Sequence, residues 1–194
     1  MGNLIVSGVI NKGLGFNAIE FYAVDEGDCL EVTGGDYCDY GLLQEGGVPN
    51  SGTNPKFNID SSLCSNAITN GDFWRITNDA AAFLAYFGVA ADYEVADLSL
   101  FDGTNIVDLI DEFGLFDRYG EIGTSSWNYV NGWAYRNDGD DLGNEGTFNE
   151  TNWSINQGGV ATCTTNNCGC SFPLGTYSPT ANAGDEPPVC SPQT

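Results

Sequence analysis

The stretch LIVSGVINKGLGFNAIEFYAV, residues 4–24, decides between two folds. Its segment Gly13-Leu14-Gly15-Phe16-Asn17-Ala18 fits the G-x-G-x-x-A pattern of dinucleotide-binding domains. That pattern requires a helix to open at the second glycine, so that its N-terminus meets a pyrophosphate. The residues after the glycines have period two instead. Ile19, Phe21 and Ala23 fall on one face and Glu20, Tyr22 and Val24 on the other, the alternation of a β-strand. The glycines therefore read as the connection of a β-hairpin between NLIVSGVI (3–10) and AIEFYAVD (18–25).

Outward from this hairpin the chain stays β-rich. Residues 26–71 form an irregular, cysteine-bearing insertion in which YGLLQ (40–44) and KFNID (56–60) read as short strands. DFWRIT (72–77) is a further strand. NDAAAFLAYFGVAADY (78–93) is the clearest helix, placed at about 79–87: Asn78 or Asp79 caps it, Gly88 ends it, and Phe83, Tyr86 and Phe87 share one apolar face. VADLSLFDGTNIVDLIDEFGLFDRYGEIG (95–123) reads as a strand, a tight DGTN turn and two more strands, with Asp102-Gly103 marking a hairpin. The predicted body spans residues 1–160. Residues 161–194 form a cysteine-rich turn, CTTNNCGC, and an extended Pro/Ser/Thr tail.

The totals narrow the functional classes. With 27 acidic against 5 basic side chains the net charge is −22, which repels phosphate backbones and anionic lipid and so disfavours nucleic-acid and membrane-surface partners. Such acidity suits a calcium- or salt-rich medium, where cations screen self-repulsion. No window approaches 18 consecutive apolar residues, so no membrane insertion is expected. The chain has no histidine, which removes Ser-His-Asp, Cys-His and His-based metal catalysis in their common forms. No P-loop is present, and Asp102-Gly103-Thr104 is not the Asp-Thr-Gly order of aspartic proteases. Seven cysteines without histidine argue for disulfides in an oxidising compartment rather than for zinc. Cys29, Cys38, Cys64, Cys163, Cys168 and Cys170 are the expected partners, with Cys190 left over. MGNLIVSG lacks the marks of a signal peptide, so a secreted chain would be in its mature form here.

The order of four blocks adds a resemblance. LIVSGVINKGLGFNAIEFYAV, then DFWRITNDAAAFLAYFG, then LSLFDGTNIVDLID with FDRYGEIG, then W…GWAYRN…F…NW resembles the lamin-tail domain family in its secreted, non-nuclear branch, over about residues 4–155. The resemblance implies an all-β, immunoglobulin-like β-sandwich, which the strand spacing also allows. It further implies a module that accompanies other domains as an adhesion, tethering or surface-assembly unit. The cysteine-bearing insertion and the cysteine-rich extension depart from the family pattern and leave the partner open.

The acidic stretch RNDGDDLGNEGTFNETNW, residues 136–153, holds the candidate sites. Counted from Asp138 it fails the EF-hand pattern, with Leu142 at position five and Asn149 at position twelve. Asp138, Asp140, Asp141, Asn144 and Glu145 still supply enough hard oxygens for a non-EF calcium site, against the plainer reading of a hydrated turn. Asp25, Glu26 and Asp28 form a weaker cluster. Asn149-Glu150-Thr151 and Asn152-Trp153-Ser154 are adjacent N-glycosylation sequons. Trp127, Tyr129, Trp133 and Tyr135 alternate as on one strand face, either as a carbohydrate-binding platform or as core. Arg75, Arg118 and Arg136 read as structural counter-ions among acids, or as cations stacked on tryptophan.

These observations converge on a non-enzymatic, secreted or cell-surface structural or adhesion module with no required cofactor beyond optional Ca2+. Its expected partners are further copies of itself, extracellular matrix or surface glycans, through β-edges or the tail; the apolar run at 3–10 and the tail are either the two ends of a head-to-tail contact or simply complete their own sandwich. A calcium-dependent carbohydrate-binding module is the alternative, and a carboxylate glycoside hydrolase a remote one, since no acid pair is singled out.

Overall fold

The computed structural model describes residues 4–24, 40–43, 57–59, 70–111, 114–139, 143–167 and 170–180. It is mostly β-sheet with one α-helix. In chain order the strands are β1 (Leu4–Asn11), β2 (Asn17–Ala23), β3 (Tyr40–Leu43), β4 (Phe57–Ile59), β5 (Phe73–Thr77), β6 (Tyr93–Glu94), β7 (Val107–Asp111), β8 (Gly114–Tyr119), β9 (Trp133–Arg136) and β10 (Trp153–Asn156), with helix α1 (Ala80–Phe87) between β5 and β6. Six strands form one sheet in the order β10-β9-β1-β2-β5-β6, and four form a second in the order β4-β3-β7-β8.

The hairpin expected at residues 4–24 is the centre of the larger sheet. β1 and β2 pair antiparallel from Leu4↔Ala23 to Asn11↔Asn17, around a turn where Gly13 takes φ 66°, a conformation open to glycine. Every residue of both strands is buried, because the sheet is covered on both faces. Leu4, Val6, Val9, Ile19, Phe21 and Ala23 meet Val107, Leu109, Tyr119, Trp127 and Trp153 in the core between the sheets. Ile5, Ile10, Ala18 and Tyr22 face a second core on the other side. A bulge between Val6 and Gly8 resets the alternation of β1, so that Val6 and Val9 point to the same core.

The second core is roofed by α1 and by the chain after Val160. Asp79 caps α1 by accepting from the Ala82 N–H, and Gly88 ends it in the left-handed conformation at φ 76°, as the sequence predicts. Phe83 and Tyr86 turn inward, and Phe83, Tyr86 and Phe87 all contact the ring of Phe16 edge-on. Of the segment expected to be an extended tail, residues 171–180 are instead part of the roof and contribute Phe172 and Tyr177 to the second core, beside Val160 from the end of the expected body and Cys163 and Cys170 from the cysteine-rich turn. Gly8 makes room for it, since a Cβ there would lie 2.5 Å from the Phe172 ring and 2.7 Å from that of Tyr135.

Two expectations at 95–123 change. Ala96–Leu100 is a 3-10 helix rather than a strand. Its only deeply buried side chain is Leu98, and the Asn17 amide donates to Leu98 O within it and to Phe101 O just beyond it, at 2.8 Å each. Asp102-Gly103-Thr104 is a turn, with Asp102 Oδ1 accepting from Thr104 N at 2.9 Å. That turn leads into β7, while the hairpin connects β7 to β8 further on, beyond Asp111. Local turn chemistry marked a bend correctly but could not say which strands it joined. No helix among the described residues is long and apolar enough to cross a membrane.

Candidate functional site

β9 and β10 pair antiparallel, with Trp153 opposite Arg136, and present the acidic loop between them. At its root Arg136 is fully buried. Its Nη2 lies 2.6 Å from Asp117 Oδ2, its Nε donates to Val6 O at 2.8 Å, and its guanidinium carbon sits 4.8 Å from the centre of the Trp153 ring. Asp117, equally buried, also accepts from Val6 N at 2.8 Å and Asn144 N at 3.2 Å. One ion pair therefore ties β8 of the smaller sheet to β1 and β9 of the larger.

The loop turns its polar atoms inward at Asn144. Asn144 Oδ1 accepts from Arg118 N and Gly146 N, both at 3.0 Å, and its Nδ2 donates to Arg118 O at 2.6 Å. Glu145 N adds a bond to Phe116 O at 3.0 Å. The side-chain amide stands where a neighbouring strand would be and closes the outer edge of β8. Asp138 serves a different element, since its Oδ1 accepts from Ser178 N at 2.8 Å and anchors the roof segment. Glu145 is exposed. Of the expected calcium ligands, Asp138 and Asn144 are thus held by separate parts of the fold. Asp140 and Asp141 lie outside the described residues, as do Asp25, Glu26 and Asp28. Among the described residues no group of three or more His, Cys, Asp or Glu side chains is placed to hold a metal ion.

The other two arginines are placed as counter-ions, as their scarcity suggested. Arg118 grips Asp108, its cross-strand partner, through Nε–Oδ1 at 2.5 Å and Nη2–Oδ2 at 2.7 Å, a bidentate geometry that holds the Arg118 guanidinium charged. Arg75 pairs across β2 and β5 with Glu20 at 2.9 Å.

Glu20 was not singled out by the sequence, and it holds the most demanding position. It is 2% exposed, in a crevice lined by Ile10, Ala18, Arg75, Phe83 and Leu174 that is too narrow to admit water. Its carboxylate accepts from Arg75 Nε, Tyr135 Oη and Gly175 N, each at 2.9 Å, and from Ser7 Oγ at 3.3 Å. Burial pushes its pKa up, against the pull of the Arg75 charge, the Gly175 N–H and the Tyr135 hydroxyl. Tyr135 Oη in turn accepts from Thr176 N at 3.1 Å and Tyr177 N at 2.9 Å; burial, then the neighbouring Glu20 charge, raises the Tyr135 pKa. Glu20 and Tyr135 together clamp the roof segment to the sheet. Lys12 adds a bond to Ala161 O at 2.9 Å from the hairpin end. The available signal was a lone acid inside the otherwise uncharged run AIEFYAV.

The four aromatic residues expected to alternate on one strand do not. Only Trp133 and Tyr135 lie on β9, while Trp127 and Tyr129 precede it in irregular chain. Trp127 and Tyr129 pack on Tyr119 in the core between the sheets, and Trp133 and Tyr135 pack on Phe172 in the second core. None is more than 3% exposed, so none offers a ring face to a sugar. The run of aromatic residues was core, divided between two cores by the turn at Asn131.

The two sequons differ in setting. Asn149 is exposed, and its Oδ1 accepts from Thr151 N at 3.1 Å and Thr151 Oγ1 at 2.8 Å. Asn152 is half-buried beside the core residue Trp153, and the hydroxyl of its own sequon, Ser154 Oγ, is donated to Asn137 Oδ1 at 2.8 Å. Cys163 and Cys170 are disulfide-bonded. Cys29, Cys38, Cys64, Cys168 and Cys190 lie outside the described residues. In comparisons with known proteins, no family model, curated protein or solved structure matches the chain.

Proposed function

We propose that this chain is a non-enzymatic extracellular structural or adhesion module, an immunoglobulin-like sandwich of the lamin-tail kind whose role is to be a rigid body that holds other surfaces. The Arg136–Asp117 pair carries the reading. It lies at the centre of a fully buried network spanning both sheets, where a charge pair costs desolvation and is retained for geometric specificity rather than for net stability. The clamp of Glu20 on the roof segment repeats the device on the outer face. With all three arginines engaged with buried acids, the surface left for partners is overwhelmingly anionic, which suits a medium rich in salt or divalent cations. The exposure of Asn149 supports it as the glycosylated sequon in such a setting.

Negative-stain electron microscopy of the native material, taken from its source without denaturation, tests the proposal. Filaments, layers or matrix-bound particles with this domain as the repeat are the expected result. Particles that stay dispersed and bind neither matrix nor cell surface would overturn it.

A further inference from the structure

Among the described residues, cover is visible along β8 and along the part of β5 beyond β6, whereas β10 ends the larger sheet without it. The edge of β8 is occupied by the Asn144 amide. On β5, just ahead of its short parallel pairing with β6, the N–H of Arg75 donates to Asp92 Oδ2 at 2.8 Å and its carbonyl accepts from Asp92 N at 2.9 Å, so Asp92 covers the part of that margin β6 does not reach. Both are the blunting devices expected where edge pairing is to be prevented.

Among the described residues β10 carries no such cover. Asn137 N bonds to Asn152 O at 2.8 Å, and hydrogen-bonded pairs alternate along an antiparallel ladder. Ser154 and Asn156 therefore spend their backbone groups on Tyr135 and Trp133, leaving Ile155 facing outward opposite Ala134. The β1–β9 register agrees, because Asn11 N bonds to Gly132 O and so directs the backbone of Ala134 toward Val9. Ile155 N–H and C=O, Trp153 C=O and Gln157 N–H point away from the sheet. Trp153 N–H is already returned to Glu150 O. The side chain of Ile155 is partly buried at the margin of the core between the sheets, and Trp-Ser-Ile-Asn carries no charge in a chain of net charge −22.

We propose that β10 is the self-association edge of this protein, pairing antiparallel with β10 of a second copy about a two-fold axis through Ile155. The inference rests on the structural-module reading and names its contact. Centred there, the two Ile155 residues exchange both backbone bonds, and each Gln157 N–H reaches the Trp153 carbonyl of the other copy. The two six-stranded sheets become one, and the two Ile155 side chains cover each other. An uncharged strand favours a second uncharged strand over a basic peptide. In the chain's own residues 181–194, Pro187, Pro188 and Pro192 interrupt the row of N–H groups that a ladder needs. Two bodies of like charge repel at range, and salt shortens that range from roughly 30 Å at 0.01 M to about 3 Å at 1 M. The association therefore strengthens as ionic strength rises.

Sedimentation velocity over a concentration series, at low and high salt, tests this on the full chain and on Ile155→Pro. Proline is tolerated on an edge strand where the N–H faces solvent, and circular dichroism checks that the variant keeps the fold. The expected result is a salt-promoted dimer of the wild type that the substitution weakens at least about tenfold, since both axial donors are removed. Amide exchange on the wild type is the second readout: Ile155 and Gln157 gain protection as concentration rises. A wild type that is monomeric throughout would overturn the pairing, with the module reading still decided by microscopy of native material. A dimer untouched by Ile155→Pro, or formed without protection at these amides, would also overturn it and would place self-association elsewhere on the module.

Discussion

Asp117 and Arg136 meet 2.6 Å apart from different sheets, both fully buried. Neither charge has water to fall back on, and Asp117 also receives the N–H groups of Val6 and Asn144. Arg136→Met keeps most of the volume but strands the carboxylate. Breaking a buried pair from one side costs about 3–5 kcal/mol, and urea unfolding should show that loss. Adding Asp117→Leu should not restore wild-type stability, because two backbone donors and the Val6 carbonyl then lack partners.

Glu20 gives the fold a pH dependence of definite sign. Burial raises its pKa above that of an unfolded glutamate, so the folded state holds the proton more tightly. Its contribution to stability is complete below the ordinary glutamate range and is lost as pH rises through the raised value. The melting temperature should therefore increase as pH falls from neutrality toward the mildly acidic range, and Glu20→Gln should flatten that slope. A slope unchanged by the substitution would mean that the general relief of acidic repulsion accounts for all of it.

Asn144 acts as a one-residue strand on the edge of β8. Asn144→Ala removes both side-chain bonds to Arg118 and leaves its N–H and C=O open. A cost of about 1–3 kcal/mol is expected, together with concentration-dependent light scattering as the uncovered edge pairs. Asn144→Asp keeps the acceptor for Arg118 N and loses the donor to Arg118 O, so it should fall between wild type and alanine.

Gly8 sets the distance between the larger sheet and its roof. A methyl group there meets Phe172 at 2.5 Å and Tyr135 at 2.7 Å. Gly8→Ala should cost about 1–3 kcal/mol by overpacking and should loosen the roof first. Limited proteolysis then cuts within residues 160–180 before the body of the domain is attacked. Equal protection of wild type and variant would place the Phe172 ring elsewhere in solution.

Much of the local structure was legible in the residues themselves. The period-two run at 17–23 specified a strand and its two faces, and Ile19, Phe21 and Ala23 do share one core while Tyr22 faces the other. Asp79 and Gly88 bounded the helix because capping is written in residues next to the helix. Scarcity alone marked the arginines as counter-ions. Where the reading failed, one local pattern fitted two environments. The aromatic residues at 127–135 suit an exposed platform or a core equally well, and their alternation crosses a turn that periodicity did not reveal. The run at 3–10 fitted either one end of a head-to-tail contact or a strand that completes its own sandwich, and β1 is paired on both sides, by β2 and β9.

Sequence alone determined the hairpin, the helix and its caps, the all-β character and the acidic surface, since these arise from side-chain alternation, backbone preference and charge count. Tertiary structure decided which acid each arginine holds: Arg136 takes Asp117, Arg118 takes Asp108, and Arg75 takes Glu20, 55 residues away. It also turned Asn144 from a candidate ligand into an edge strand and drew the expected tail over the sheet. Those outcomes depend on which strands become neighbours and on how much water is excluded between them, and strand order is a property of the packed chain rather than of any stretch within it.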